Sequence, residues 1–246
     1  MRCCFITLGC RVNQYESDAM AELLTQAGFE ITENPAEADV CIVNTCTVTN
    51  IADRKSRQML SKAHKLTPNA KLIAAGCFAQ RSPEAAAKLE GVYAVLGSAD
   101  KNRVVELVKS IAEGRENEPK SEKCNCEEKE LCDCCGGMKK FEQPENSECS
   151  GNAAGGAKIL VRDVMHEHEF EEMSAVHEGR TRAYLKIQDG CNMFCTYCAI
   201  PYARGGLRSR SIESVRAEAE KLNNEGFSEV VLTGIHLMSY GRDLRS

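Results

Sequence analysis

Three cysteines with close and uneven spacing are the residues of this chain whose types predict chemistry most directly. Cys191, Cys195 and Cys198 form a CxxxCxxC triplet that follows an apolar segment. Three thiolates can hold an iron–sulfur cluster and leave one iron open to another ligand. A zinc site or a plain electron-transfer cluster is the alternative, although the spacing departs from the CxxC pairs of zinc ribbons. Tyr197 places an aromatic ring just before the last cysteine.

A second set of cysteines is dispersed along the sequence but shares one local context. Cys10, Cys46 and Cys77 each follow a predicted strand and stand beside Gly or Thr. The carboxyl ends of parallel strands form one edge of a sheet, so these three thiols are predicted to converge on a second cluster. The alternative is that they are small buried hydrophobic residues. That interpretation applies to the cysteines within strands, which are Cys3, Cys4 and Cys41.

Basic residues follow two of these cysteine positions. One group comes after Cys46 and the other after Cys198. Arg and Lys side chains at such places are predicted to contact nucleic-acid phosphates, and a solvated helix face is the alternative for the first group. The residues are Arg54, Lys55, Arg57, Arg204, Arg208 and Arg210.

Five more cysteines lie in a segment that is rich in Glu, Lys, Asn, Pro and Gly. Their CxC and CxCC spacing is compatible with zinc or another soft metal, and incidental thiols of a disordered acidic loop are the alternative. The cysteines are Cys124, Cys126, Cys132, Cys134 and Cys135.

The elements that must position these residues follow an α/β pattern. Short apolar runs alternate with amphipathic helical stretches over the first 113 residues, which predicts an open parallel sheet of the Rossmann or flavodoxin-like kind. The predicted strands are residues 3–8, 40–44, 71–75 and 92–96. Ser82 and Pro83 are predicted to start one helix, and Asp100 is predicted to cap another that ends before Gly114.

The pattern resumes near Arg182, with predicted strands at residues 183–188 and 229–233. Between them Ser211 is predicted to cap a helix over residues 212–224. We therefore predict a first domain over residues 1–114, a flexible acidic linker over 115–157, and a second domain from 158 to 246. A closed eight-unit barrel takes roughly 200 or more residues, so the second domain is expected to be incomplete.

Composition indicates a globular protein rather than a membrane protein. The chain has 246 residues, 43% hydrophobic content and a net charge of -5. Its N-terminal apolar run is too short for a secretory signal or a membrane span, which predicts a cytoplasmic location. In that compartment 15 cysteines are better explained by metal ligation than by disulfides.

The surroundings of both cysteine trios resemble the radical S-adenosylmethionine methylthiotransferases. The resemblance covers residues 1–113 and 180–246. The matching stretches are residues 7–17 (TLGCRVNQYES), 44–49 (NTCTVT), 75–80 (AGCFAQ) and 190–202 (GCNMFCTYCAIPY), followed by Arg204-Gly205 and Arg208-Ser209-Arg210.

This resemblance implies two 4Fe-4S clusters and S-adenosylmethionine. Cys10, Cys46 and Cys77 would hold an auxiliary cluster that carries the sulfur, and the CxxxCxxC triplet would hold the cluster at which S-adenosylmethionine is cleaved to a radical. The implied fold of the second domain is the start of a radical SAM partial TIM barrel. Tyr197 and Gly234 would contact the cofactor, and a strand-end turn is the alternative role of Gly234.

Residues 9–14 and 233–237, with Tyr240 and Gly241, resemble the bacterial branch that acts on N6-threonylcarbamoyladenosine in tRNA. The implied partners are the tRNA anticodon loop and an electron donor such as flavodoxin or ferredoxin. The alternatives are a sibling enzyme acting on isopentenyladenosine in tRNA or on a ribosomal-protein aspartate, a non-catalytic iron–sulfur protein, and an inactive fragment.

Overall fold

A six-stranded parallel sheet forms the first half of the fold. The computed structural model describes residues 1–99, 101–114, 156–175 and 181–244. The strands are β1 (Arg2–Thr7), β2 (Glu30–Ile31), β3 (Val40–Thr45), β4 (Lys71–Gly76), β5 (Val92–Leu96) and β6 (Lys158–Leu160). Their order across the sheet is β2-β1-β3-β4-β5-β6, and every neighbouring pair is parallel.

Helices pack on both faces of this sheet. One face is covered by α1 (Arg11–Gln26) and α5 (Val104–Ala112). The other is covered by α2 (Asn50–Leu66), α3 (Cys77–Arg81) and α4 (Pro83–Ala87). All six residues of β3 are buried, as expected of a central strand that is covered on both sides.

The four strands predicted in this half are confirmed to within one or two residues at their ends. Cys3, Cys4 and Cys41 are fully buried in the sheet, which confirms that they are core residues. Ser82 precedes α4 as predicted, but its side chain makes no capping hydrogen bond. Asp100 lies outside the described residues, and the helix it was predicted to cap begins with a 3-10 turn at Lys101–Arg103 before α5.

The second half contains shorter elements. A parallel pair is formed by β7 (Ala183–Lys186) and β10 (Val230–Thr233), and an antiparallel pair by β8 (Gln188–Asp189) and β9 (Arg208–Ser209). Two helices, α6 (Ile200–Arg204) and α7 (Ile212–Asn224), and a 3-10 turn at Leu237–Ser239 complete it. The bounds of α7 agree with the prediction, and the Ser211 side chain accepts a hydrogen bond from the Ser214 N–H as its cap.

The predicted strand at residues 183–188 is interrupted at Ile187. The Ile187 N–H donates to the Thr233 carbonyl on β10, whereas its own carbonyl accepts from the Arg210 N–H just after β9. The chain therefore changes pairing partner at this residue. Apolar periodicity does not reveal such a change, because the side chains alternate in the same way on either side of it.

The strand β6 belongs to the first sheet. Sequence patterns placed residues 158–160 at the start of the second domain, but β6 pairs in parallel with β5 at the sheet edge. The chain thus returns to the first sheet after residue 155 before it builds the second half. The predicted fold class of the first half, an α/β protein with an open parallel sheet, is confirmed. Among the described helices, none is long and apolar enough to cross a membrane.

Candidate functional site

The first cysteine trio lies at one edge of the six-stranded sheet. Cys10 immediately precedes α1, Cys46 follows β3, and Cys77 is the first residue of α3 after β4. The strands β1, β3 and β4 are direct neighbours, so their carboxyl ends are adjacent. Cys10 is exposed, whereas Cys46 and Cys77 are buried.

Asn13 lies beside two cysteines of this trio. Its Oδ1 atom lies 3.9 Å from Cys10 Sγ and 4.0 Å from Cys77 Sγ. Its Nδ2 group donates to the carbonyls of Leu8, at 2.8 Å, and Thr45, at 2.9 Å. The amide is therefore fixed by the ends of two strands, and its oxygen is turned toward two of the thiols.

The position of Cys46 depends on hydrogen bonds to its backbone and on the absence of a side chain at Gly9. The Cys46 N–H donates to Ser56 Oγ at 2.9 Å, and the same hydroxyl donates to the Cys46 carbonyl at 2.7 Å. Gly9 has a φ of +101°, and a Cβ atom there would lie 3.0 Å from Cys46 Sγ. Glycine thus allows both the turn after β1 and the approach of Cys46 to it.

The second trio lies on the loop between β8 and α6. Cys195 is exposed, and Cys191 and Cys198 are half-buried. The Cys198 N–H donates to the Cys195 carbonyl at 2.9 Å, and the Cys191 N–H donates to the Gly205 carbonyl at 3.1 Å. Phe194 adopts a positive φ of 44° within the loop. These bonds close the loop upon itself and leave its thiols accessible from solvent.

Both trios fit iron–sulfur ligation by the chemistry of their donors. Among the described residues, no three His, Cys, Asp or Glu side chains stand close enough to hold a metal ion as they are placed. Thiolates are nevertheless the ligands that iron–sulfur clusters take, and neither trio contains a competing hard ligand. The first trio lies at adjacent strand ends with two of its thiols beside one amide, and the second occupies a single loop.

Burial and charge act on Cys77 in opposite directions. Burial raises the pKa of the Cys77 thiol above its ordinary value, whereas the positive charges of Arg204 and Lys101 favour the thiolate. The thiolate is the form that ligates metal. The cations therefore support the ligating state at a site where burial alone opposes it.

Six charged side chains lie buried beside the first trio. Lys186 Nζ lies 2.7 Å from Glu16 Oε1, and Lys101 Nζ lies 3.3 Å from Glu16 Oε2. Arg204 Nη1 contacts both Glu16, at 2.8 Å, and Asp189, at 3.1 Å. No member exposes more than 6% of its side chain. We call this group the buried charge cluster; its members are Glu16, Lys101, Lys186, Asp189, Arg204 and Arg208.

Glu16 is ionised within this cluster. Burial alone would raise its pKa, but the charges of Arg204, Lys101 and Lys186 hold the pKa of the carboxyl well below its ordinary value. Sequence patterns alone did not predict the cluster. The sequence feature that could have revealed the cluster is the pair Asn13 and Glu16, two polar residues that lie three positions apart on the buried face of α1.

The basic residues of the predicted phosphate contacts fall into two environments. Arg54, Lys55 and Arg57 are exposed on α2, although Arg57 also pairs with Asp53 at 2.8 Å. Arg204, Arg208 and Arg210 are buried and face carboxylates: Glu16 and Asp189 for Arg204, Asp189 for Arg208, and Glu172 and Glu218 for Arg210. These last three do not present their guanidinium groups to an RNA backbone, which corrects the expectation for them.

Tyr197 and Gly234, the predicted cofactor contacts, differ in their surroundings. Tyr197 is 90% exposed beside the second trio. Gly234 lies against Gln188, whose Oε1 atom would be 2.9 Å from a Cβ atom at that position. The same Oε1 accepts a hydrogen bond from the His236 N–H at 2.7 Å. The five cysteines between Cys124 and Cys135 lie outside the described residues.

Two family models match this chain. Residues 2–97 match the uncharacterized protein family UPF0004, and residues 185–242 match the radical SAM superfamily. The chain is 37% identical over 242 residues to the threonylcarbamoyladenosine tRNA methylthiotransferase MtaB of Bacillus subtilis (strain 168), covering 98% of this chain and 45% of that protein. Over nearly its whole length the chain is therefore similar to radical SAM methylthiotransferases.

Other relatives carry a different name. The ribosomal protein uS12 methylthiotransferase RimO of Chloroflexus aurantiacus is 32% identical over 240 residues, covering 97% of this chain and 47% of that protein. The chain spans about half the length of the curated relatives it matches. A solved structure of the radical S-adenosylmethionine methyltransferase TsrM from Kitasatospora setae shares the fold, with a TM-score of 0.56 at 17% identity over 95% of this chain and 47% of that chain.

Proposed function

We propose that this chain is part of an enzyme that adds a methylthio group to carbon 2 of N6-threonylcarbamoyladenosine in tRNA. The observation that carries the proposal is the placement of Cys10, Cys46 and Cys77 at adjacent strand ends, two of them beside Asn13, in a chain that also holds the CxxxCxxC loop. The relative at 37% identity is named for this activity, which supports the choice of substrate.

The two trios suit two separate tasks. Cys10, Cys46 and Cys77 would hold an auxiliary 4Fe-4S cluster, and Cys191, Cys195 and Cys198 would hold the cluster that binds S-adenosylmethionine. When bound, such a pair of groups would supply a radical able to break an unactivated C–H bond and a sulfur atom to replace the hydrogen. The chain itself supplies position: Ser56 and Asn13 fix the first trio, and the closed loop presents the second.

The exposed basic residues of α2 suit contact with the anticodon loop. The helix begins at Asn50, shortly after Cys46, and presents Arg54, Lys55 and Arg57 to solvent. Contacts of Arg and Lys with phosphates supply much of the affinity for nucleic acids. A flavodoxin or ferredoxin would serve as the electron donor.

The test is mass spectrometry of tRNA nucleosides from cells that have or lack the full gene. We expect the methylthio form of N6-threonylcarbamoyladenosine to vanish in the deletion strain and to return with the wild-type gene. A Cys46→Ala gene should fail to restore it. Cys3→Ala is the matched control, since Cys3 is buried in the sheet away from the trio. Unchanged modification in the deletion strain would refute the proposal.

A second candidate is methylthiolation of a ribosomal protein, which the 32% identity to a RimO protein favours. The same strains separate the two. Intact-mass measurement of protein uS12 from their ribosomes would show loss of one methylthio group in the deletion strain if this candidate is correct. A change in isopentenyladenosine derivatives instead would identify the sibling tRNA activity.

A further inference from the structure

The buried charge cluster carries more positive than negative charge. Its cations are Lys101, Lys186, Arg204 and Arg208, and its anions are Glu16 and Asp189. Asp189 and Arg208 line a cavity at the edge of the cluster, together with Glu171 and Glu172. The other four members expose at most 1% of their side chains, and unbalanced charge among such buried groups is unfavourable unless another anion lies nearby. Among the described members of the cluster the four cations outnumber the two carboxylates, so the cluster can balance a further negative group.

Two thiols of the first trio lie beside the side chain that Arg204 contacts. Arg204 Nη2 donates to Asn13 Oδ1 at 2.5 Å, and this is the oxygen that lies beside Cys10 Sγ and Cys77 Sγ. The guanidinium of Arg204 is thus directed at the amide that lies beside Cys10 and Cys77.

Arg204 comes from the other half of the fold. It is the last residue of α6, six positions after Cys198. The α6 segment is joined to the first half by a hydrogen bond from Ser98 Oγ to the Ala203 carbonyl at 2.6 Å. One guanidinium therefore links the loop of the second trio to the amide that lies beside two thiols of the first.

We propose that Arg204 is a positioning residue for an anionic iron–sulfur group at Cys10, Cys46 and Cys77. It balances the negative charge of the ligated thiolates and orients Asn13 toward them. This inference rests on the proposed function, because it requires that the first trio holds a cluster. A positive charge close to a cluster makes its reduction easier, so removal of Arg204 should make the cluster harder to reduce.

The experiment measures the reduction potential of that cluster alone. The full-length protein is prepared with Cys191, Cys195 and Cys198 changed to Ala, reconstituted anaerobically with iron and sulfide, and titrated with dithionite under electron paramagnetic resonance. We expect Arg204→Gln to shift the midpoint potential to a more negative value. Arg204→Lys, which keeps the charge, should shift it less. The control is Arg210→Gln, a buried arginine of the same segment that pairs with Glu172 and Glu218 instead, and it should leave the potential unchanged.

A second measurement tests the proposal even if Arg204→Gln folds poorly. Thermal unfolding is compared for the iron-free and iron-loaded forms of the parent and of Arg204→Lys and Arg204→Gln. The rise in melting temperature on loading should be largest in the parent and smallest in Arg204→Gln. A purely structural ion pair would instead lower both melting temperatures equally.

The outcomes separate this inference from the function on which it rests. A parent that takes up no iron at the first trio would overturn both. A normally loaded parent whose potential is unmoved by Arg204→Gln, or moved equally by Arg210→Gln, would overturn the role of Arg204 alone.

Discussion

At the scale of single residues, Gly9 shows how little space surrounds the first cysteine trio. Its φ of +101° is one that residues with a side chain rarely adopt, and Cys46 occupies the place where a side chain would be. Gly28, at the end of α1, has a similar φ of +88° but has no atom within 4 Å of the corresponding Cβ position. A comparison of Gly9 with Gly28 therefore separates the cost of backbone strain from the cost of crowding against Cys46.

We predict that Gly9→Ala is more harmful than Gly28→Ala. The left-handed conformation alone should cost about 1–2 kcal/mol of unfolding free energy in either variant. Gly9→Ala adds the contact with Cys46, so it should cost more and should also lower the iron bound per chain after reconstitution. Urea unfolding and iron analysis test this. Equal losses of stability and full iron content in both variants would contradict it.

The ligand residues could be predicted from the sequence, whereas their charged surroundings could not. Cysteine spacing and strand-end position are local properties, and they are visible in a linear sequence. Glu16 and Arg204 are 188 residues apart, and no local pattern joins them. For the same reason the sequence predicts Arg204, Arg208 and Arg210 as phosphate contacts, because a run of arginines does not reveal the carboxylates with which they pair.

At the scale of elements, α2 combines a buried stripe with a basic exposed surface. Ser56, Leu60 and Ala63 face the sheet. The exposed positions carry Arg54, Lys55, Arg57, Lys62 and Lys65. In a protein of net charge -5, this concentration of cations on one helix favours an anionic partner.

We predict that charge reversal on α2 weakens tRNA binding. The double variant Arg54→Glu with Lys55→Glu should bind tRNA less tightly. The slope of log affinity against log salt should decrease in magnitude by about 1–2, because fewer phosphate contacts release fewer counterions. The measurement is a filter-binding titration at several salt concentrations with the full-length protein. Arg216→Glu with Lys221→Glu on α7 is the matched control. Equal effects of the two doubles would argue against a specific surface on α2.

The start and end of α7 and of the main strands followed from capping residues and apolar runs. The interruption of β7 and β8 at Ile187 did not, because it depends on which strand lies alongside at each residue. Pairing partners are set by the tertiary fold, and a single sequence carries little information about them.

At the scale of the whole molecule, α1 joins the two halves. Tyr15 is buried among Ala19, Met173 and Ala175, and its hydroxyl donates to the Met173 carbonyl at 2.6 Å. Burial raises the pKa of Tyr15 from 10.0 to about 12. The contact therefore requires the neutral phenol, because ionisation would remove the hydrogen bond from Tyr15 to Met173.

We predict that Tyr15→Phe lowers stability at neutral pH by about 1 kcal/mol, because the Met173 carbonyl loses its donor. The raised pKa contributes stability that is fully present below pH 10.0 and is lost as the pH rises toward 12. The difference in unfolding free energy between wild type and Tyr15→Phe should therefore narrow above pH 10.0. Urea midpoints from pH 8 to 11 test this, with the exposed Tyr202→Phe as control. A gap that stays constant over this range would refute the assignment.

The return of the chain to the first sheet at β6 has a consequence for protein engineering. A fragment that ends at residue 114 would lack β6 and would leave β5 as a sheet edge with unpaired backbone N–H and C=O groups. A fragment meant to contain the whole first sheet must therefore extend beyond Leu160.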